Sequence, residues 1–187
     1  NTNLDNAPRR MQFYAVAPWI GAFNIFYRLG VDGLSLWFIP LTAFINIIVI
    51  VAAWEVIEER VSQYMGSFML LSGLMIGVFA SLDGLLFYFF FEATLIPMFI
   101  IIGVFGGPNR VYAAFKFFLY TFFGSLLTLV AIIYLYNVSG TFDIQKWHVQ
   151  PLGMKEQILI FIAFFMAFAV KVPMWPVHTW LPDAHVE

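Results

Sequence analysis

The chain alternates long apolar runs with short polar breaks, and the runs have the length of membrane helices. They fall at about 31–54, 64–82, 85–105, 111–136 and 157–177. A helix needs ~20 residues to cross the hydrocarbon of a bilayer, so the pattern predicts five transmembrane helices. Residues 1–30 depart from it. There Arg9, Arg10 and Arg28 mix with Trp19, Phe23, Phe26 and Tyr27, and Pro8, Pro18, Gly21 and Gly30 interrupt the run. Basic and aromatic residues together favour the water–lipid interface. An interfacial or extramembrane lead-in over 1–30 is therefore expected, followed by a membrane domain over 31–187.

Polar punctuation then places the ends. Asp32 suits the N-cap of the first helix, and Pro40 is a candidate kink within it. Asn46 is expected to bond to a neighbouring helix. Glu55, Glu58, Glu59 and Arg60 end the span in water. In the second span Gly73 and Gly77 form a GxxxG pair, with Gly66, Ala80 and Ser81 near the same face, which lets helix backbones approach closely. Asp83-Gly84 reads as a tight turn, making a hairpin of spans two and three. Gly106 to Arg110 is a loop, and Gly124, Ser125 and Thr128 suit helix packing in span four. Residues 137–156 are a polar connector.

Composition agrees. The chain has 187 residues, 62% hydrophobic and 11% charged, where a soluble domain carries about 25% charged residues. The fold class is an all-α polytopic membrane helix bundle. A net charge of −2 offers no basic surface for nucleic acid. The lack of cysteine removes disulfides, thiolate metal sites, iron–sulfur clusters and thiol catalysis from this segment. No Gly-rich phosphate cradle, nucleophile–base arrangement or metal-ligand spacing appears. Starting at Asn1 and ending at Glu187, the chain reads as a piece of a longer polypeptide.

The charges sharpen this picture. Of 9 basic and 11 acidic side chains, nearly all fall in loops or near the end of a span. Glu92 and Lys171 do not. Glu92 lies roughly 10 Å below the Asp83 end of the third span, which starts at about Leu85, too deep to reach water. An ionisable group there costs ~2.5–3.5 kcal/mol on insertion scales. Tyr88 precedes it by one turn, Gly103 returns to nearly the same face, and Pro97 is expected to disrupt the helix and free a carbonyl near Ala93. Lys171 is about 9 Å from the predicted end of its span, within snorkelling range. However, Ala163, Ala167 and Lys171 share one helical face, and small residues mark faces packed on other helices, so Lys171 is expected to point inward. Pro173 and Pro176 predict a broken helix behind it, as in transporters. One acid and one base at membrane depth suggest a coupled pair or a proton relay. Lys116 and His178 are further relay candidates, although snorkelling accounts adequately for Lys116. His148 is expected in a surface loop, and His178 and His185 as hydrogen-bonding residues in preference to metal ligands.

Four segments carry a resemblance: Val31-Asp32-Gly33-Leu34-Ser35-Leu36, Phe91-Glu92-Ala93-Thr94-Leu95-Ile96-Pro97-Met98, Lys116-Phe117-Phe118-Leu119-Tyr120-Thr121, and Val170-Lys171-Val172-Pro173-Met174-Trp175-Pro176-Val177-His178-Thr179-Trp180-Leu181-Pro182-Asp183-Ala184-His185-Val186-Glu187. They resemble the antiporter-like membrane subunits of respiratory complex I. The resemblance implies a fold of roughly fourteen helices built on inverted repeats, of which this chain would hold the third to the first part of the broken seventh. It implies that Glu92 and Lys171 are the family's essential fifth-helix glutamate and seventh-helix lysine, and that the further relay residues lie beyond Glu187. It also implies proton translocation coupled to NADH oxidation and quinone reduction. NAD, FMN, iron–sulfur clusters and quinone would sit in partner subunits, with no cofactor in this chain. The implied partners are other complex I subunits, especially neighbouring antiporter-like ones, together with membrane lipid. The implied location is the bacterial inner membrane or its mitochondrial counterpart. The family places the N-terminal side of the first span outside the cytoplasm, whereas the bias of Arg9, Arg10, Arg28, Lys146 and Lys155 over Arg60, Arg110 and Lys116 favours the opposite. Two other readings share the same residues: a subunit of a multi-subunit cation/proton antiporter or membrane-bound hydrogenase, and a structural subunit in which Glu92 and Lys171 staple two helices.

Overall fold

A computed structural model describes residues 11–21 and 25–186. Pro8, Arg9, Arg10, Phe23 and Glu187, named above, lie outside the described residues. The element order is β1 (Gln12–Ile20), β2 (Ile25–Val31), α1 (Ser35–Ala53), α2 (Val61–Ala80), α3 (Gly84–Ala93), α4 (Leu95–Phe105), α5 (Arg110–Ser139), α6 (Ile144–Trp147), α7 (Met154–Lys171) and α8 (Trp180–Val186). Helices α1, α2, the α3–α4 run and α5 are each long and apolar enough to span a membrane. The fifth expected span corresponds to α7, 18 residues long, which carries Lys155, Glu156 and Lys171 at its ends and is not among these four.

The lead-in is more ordered than its prolines and glycines suggest. β1 and β2 form an antiparallel hairpin, with Val16 opposite Arg28 and Ala17 opposite Tyr27. Pairing satisfies backbone groups that a lone extended segment at a membrane would leave open. The hairpin is sewn to the bundle: the Leu82 amide donates to the Arg28 carbonyl at 3.0 Å, and the Ile144 amide to the Leu82 carbonyl at 3.1 Å. Arg28 pairs with Asp143 at 2.9 Å. Ser81 to Asp83 thus form a short extended link between β2 and the residues before α6, where a tight turn was expected. Asp83 caps α3 instead, its Oδ1 accepting from the Leu85 and Leu86 amides at 3.1 and 3.2 Å. Burial pushes the Asp83 carboxyl above its ordinary range, against the downward pull of those amides and of Arg28.

Asp32 closes the turn just before α1, whose N-cap position is Leu34 without a side-chain cap and not the expected Asp32. Its Oδ1 accepts from the Ser35 amide at 2.7 Å, and Ser35 Oγ accepts from the Asp32 amide at 2.9 Å, a reciprocal box. The helix begins at Ser35, later than the expected 31, because Val31 closes β2, and it continues through Pro40. Asn46 Oδ1 is buried without a hydrogen-bond partner, so the expected bond to a neighbouring helix is not made among the described residues.

Helix α5 is the axis of the bundle and packs on α7, α4, α8 and α3, while α1 packs on α2. Thr121, Ser125 and Thr128 are fully buried along one face of α5. At Gly124, on the same helix, a Cβ would lie 2.7 Å from Val170 Cγ1, so the α5–α7 crossing depends on a residue without a side chain. In the α2 motif the contact is made at Gly77, where a Cβ would meet the Phe90 ring at 2.7 Å, and not at Gly66 or Gly73, which face open space. Gly124→Ala in the full-length polypeptide is therefore expected to cost about 1–3 kcal/mol through forced repacking of Val170. Gly73→Ala is expected to be neutral or slightly stabilising, since alanine is the better helix former. Melting temperatures in detergent compare the two, and equal losses would contradict this packing.

Candidate functional site

Glu92 sits on α3, one residue before that helix ends. It borders an apolar cleft of about 570 Å³ whose lining includes Trp19, Tyr88, Phe89, Phe118 and Phe122. Both carboxylate oxygens are buried and neither has a hydrogen-bond partner. The nearby polar groups are Ser125 on α5 and Lys171 on α7. The Ser125 hydroxyl is committed to the Phe122 carbonyl at 2.7 Å. Tyr88, one turn before Glu92, faces the same serine.

The break that places Lys171 follows from Pro97. Proline has no N–H for the Ala93 carbonyl, and its ring crowds that carbonyl. The helix is interrupted at Thr94, with α3 ending at Ala93 and α4 starting at Leu95. A helix end leaves backbone carbonyls without intrahelical partners and carries partial negative charge. Lys171 occupies that end. Its Nζ donates to the Phe91 carbonyl at 2.7 Å and to Thr94 Oγ1 at 3.2 Å, and lies 3.6 Å from the centre of the Phe91 ring. Thr94 Oγ1 in turn donates to the Phe91 carbonyl at 2.7 Å.

Lys171 is also the last residue of α7, so the helix breaks just before the expected Pro173 and ends short of the expected Val177. Pro173 disfavours helical geometry at Val172, which accounts for the earlier end. Beyond it the Met174 amide donates to the Ala169 carbonyl at 2.8 Å, and Trp180 Nε1 to the Val170 carbonyl at 2.7 Å. These bonds tie α8 back to the end of α7. The inward orientation read from the alanine face holds, since Ala167 is 1% exposed and Lys171 reaches α3.

Lys171 thus bonds to residues on either side of Glu92 without touching it. The ion pairs within 4.0 Å among the described residues are Arg28–Asp143 and Lys116–Asp183, and the Glu92 and Lys171 charges stand farther apart than that. The two predicted residues are brought to one junction, within electrostatic reach but not paired.

The other candidates lie elsewhere. Lys116 pairs with Asp183, joining α5 to α8, and its Nζ is 5.7 Å from the Tyr112 ring centre. His178 Nδ1 is buried without a hydrogen-bond partner, contrary to the hydrogen-bonding role expected for its side chain; among the described residues only its backbone carbonyl is seen to accept, from the Leu181 amide at 3.0 Å. His148 and His185 are exposed. Thr94 was not singled out from the sequence. A hydroxyl three residues before a proline in an apolar span was the available signal.

Residues 81–187 match the family described as NADH:quinone oxidoreductase/Mrp antiporter, TM. The chain is similar to NADH-quinone oxidoreductase subunit M of Rhodobacter capsulatus, 52% identical over 98% of this chain and 38% of that protein. It is also similar to a chain of respiratory complex I from Thermus thermophilus, with a TM-score of 0.84 and 34% identity over 96% of this chain and 38% of the other. The Mrp complex from Dietzia sp. DQ12-45-1b shares the fold, with a TM-score of 0.87 at 24% identity over 95% of this chain and 20% of that one. The chain spans about 38% of the length of the curated relatives it matches.

Proposed function

The chain belongs to the NADH:quinone oxidoreductase/Mrp antiporter transmembrane family and is part of an integral membrane protein, and from that membership we propose that it is part of a proton-translocating subunit of NADH:quinone oxidoreductase in which Glu92 and Lys171 move the proton. One observation carries the reading. Glu92 is a carboxylate with both oxygens buried and unpartnered, beside a lysine that ends its helix at a break in the glutamate's own span. A group so costly to bury and so poorly satisfied is poised for change, not for rigid packing.

Burial disfavours a charged side chain and an opposite charge nearby favours it. When Lys171 approaches Glu92, each holds the other in its charged form. When they part, the lysine keeps only neutral partners, holds its proton less strongly and passes it onward, toward residues outside this chain. Return of the pair reloads it. Carbonyls freed at the broken spans offer sites for water along the way. Energy for the separation comes from electron transfer from NADH to quinone in partner subunits, with neighbouring antiporter-like subunits transmitting it.

The structural staple requires a contact that is absent, because a buried ion pair is held by close geometry and hydrogen bonds. Substituting both residues, Glu92→Met with Lys171→Leu, in the full-length chain within its complex separates the readings. Proton relay predicts an assembled complex that oxidises NADH without acidifying vesicles, and a staple predicts normal pumping. The matched family also covers Mrp antiporters, but the solved Mrp complex is alike at only 24% identity, which shows the fold alone, against 52% for the oxidoreductase subunit; sodium-dependent pumping by the complex would favour the antiporter reading.

A further inference from the structure

Resting on that reading, we infer that the Phe91 carbonyl and the Thr94 hydroxyl form a second seat for the Lys171 ammonium, the end of its travel away from Glu92. A lysine that shuttles inside a membrane needs an acceptor at both ends of its movement, since an unpaired buried ammonium is too costly to persist. At one end the acceptor is the Glu92 carboxylate. The structure shows the other end occupied. Nζ donates at 2.7 Å to Phe91 and at 3.2 Å to Thr94, with the Phe91 ring 3.6 Å away to supply a cation–π contact.

This seat is a product of the break. In an unbroken helix the Phe91 carbonyl would accept from the Leu95 amide, four residues on. Here α3 has ended and α4 has begun at Leu95, so the carbonyl is open to a side chain. The negative end of the α3 dipole adds to the attraction for a cation. Thr94 contributes twice. Its hydroxyl donates to the Phe91 carbonyl at 2.7 Å, which orients the oxygen lone pairs toward the lysine. The seat lies on the same α3–α4 run as Glu92, one residue before it and two after, so a small swing of one flexible side chain connects the two positions. Thr94 is a positioning residue in this scheme. It never takes the proton.

Three variants in the full-length chain within its complex test the seat. Thr94→Val keeps the shape and removes the hydroxyl, and Thr94→Ser keeps the hydroxyl and removes a methyl. Protons moved per NADH oxidised should fall roughly three- to tenfold in Thr94→Val, on the scale of one ordinary intramolecular hydrogen bond, and stay near the starting value in Thr94→Ser. Thr94→Val should also lower the melting temperature of the complex, and that loss should largely disappear in a Lys171→Ala background, because the two groups then have no interaction left to break. A local helix cap alone would give the same loss in both backgrounds. Normal pumping by Thr94→Val, or a melting loss independent of Lys171, would overturn the inference. Normal pumping by Lys171→Ala alone would instead remove the relay reading, and the melting comparison would still decide the seat.

Discussion

Substituting Lys171 by alanine is expected to abolish proton translocation while the helices stay packed. The lysine is the one basic group placed at the α3 break, and its partners there, the Phe91 carbonyl and the Thr94 hydroxyl, are neutral. Removing the ammonium therefore leaves no buried countercharge in contact, unlike the breaking of a closed ion pair, which strands a charge. The packing that holds α7 against α5 runs through Val170 at Gly124, and Ala167 of α7 is buried; neither depends on the lysine head group. The loss should thus fall on function, with pumping reduced by about two orders of magnitude, as for removal of a proton-transfer group. Dye-reported acidification of vesicles, set against NADH oxidation and the amount of assembled complex, measures it. A complex that fails to assemble would show that the lysine is structural.

Much of the architecture was legible from hydropathy and punctuation. The apolar runs appear as helices because hydrophobic length has few other uses in a membrane protein. The Asp32 side chain, two positions before the N-cap Leu34, bonds to the first residue of α1, and Glu55, Glu58, Glu59 and Arg60 lie where that helix has ended. The errors have local causes. The hairpin Gln12–Ile20 and Ile25–Val31 was missed because Pro18, Gly21 and Gly30 were read as interruptions, whereas cross-strand pairing depends on partners distant in sequence. The end of α7 was set too late because the effect of Pro173 reaches the residue before it. The GxxxG motif names two glycines, but only contact geometry tells Gly77 from Gly73.

The site divides in the same way. Glu92 stands out by charge in a span of phenylalanine, and Lys171 by its place on an alanine face, so both could be named from residue types alone. What holds Lys171 could not. Its nearest acceptor is a backbone carbonyl, and a carbonyl leaves no mark in the sequence unless a helix break exposes it. Pro97 signalled the break; its position at Thr94 and the lysine's choice of Phe91 over Glu92 emerge only in three dimensions.

The second large effect is expected at Glu92 itself. Glu92→Gln preserves the size and much of the polarity of the side chain and removes its ability to carry a negative charge. Neither carboxylate oxygen has a hydrogen bond of normal geometry, and an amide keeps a polar group toward Ser125, so assembly should be unaffected. What disappears is the charge that draws Lys171 back from the Phe91 carbonyl and recharges it. The lysine is then left on its second seat and the cycle stops, with pumping again falling by about two orders of magnitude. The direct test is the number of protons moved per NADH oxidised by membrane vesicles carrying fully assembled Glu92→Gln complex. A ratio near zero with the complex intact is the predicted result, and an unchanged ratio would contradict the assignment of Glu92 and Lys171 as the proton-carrying pair.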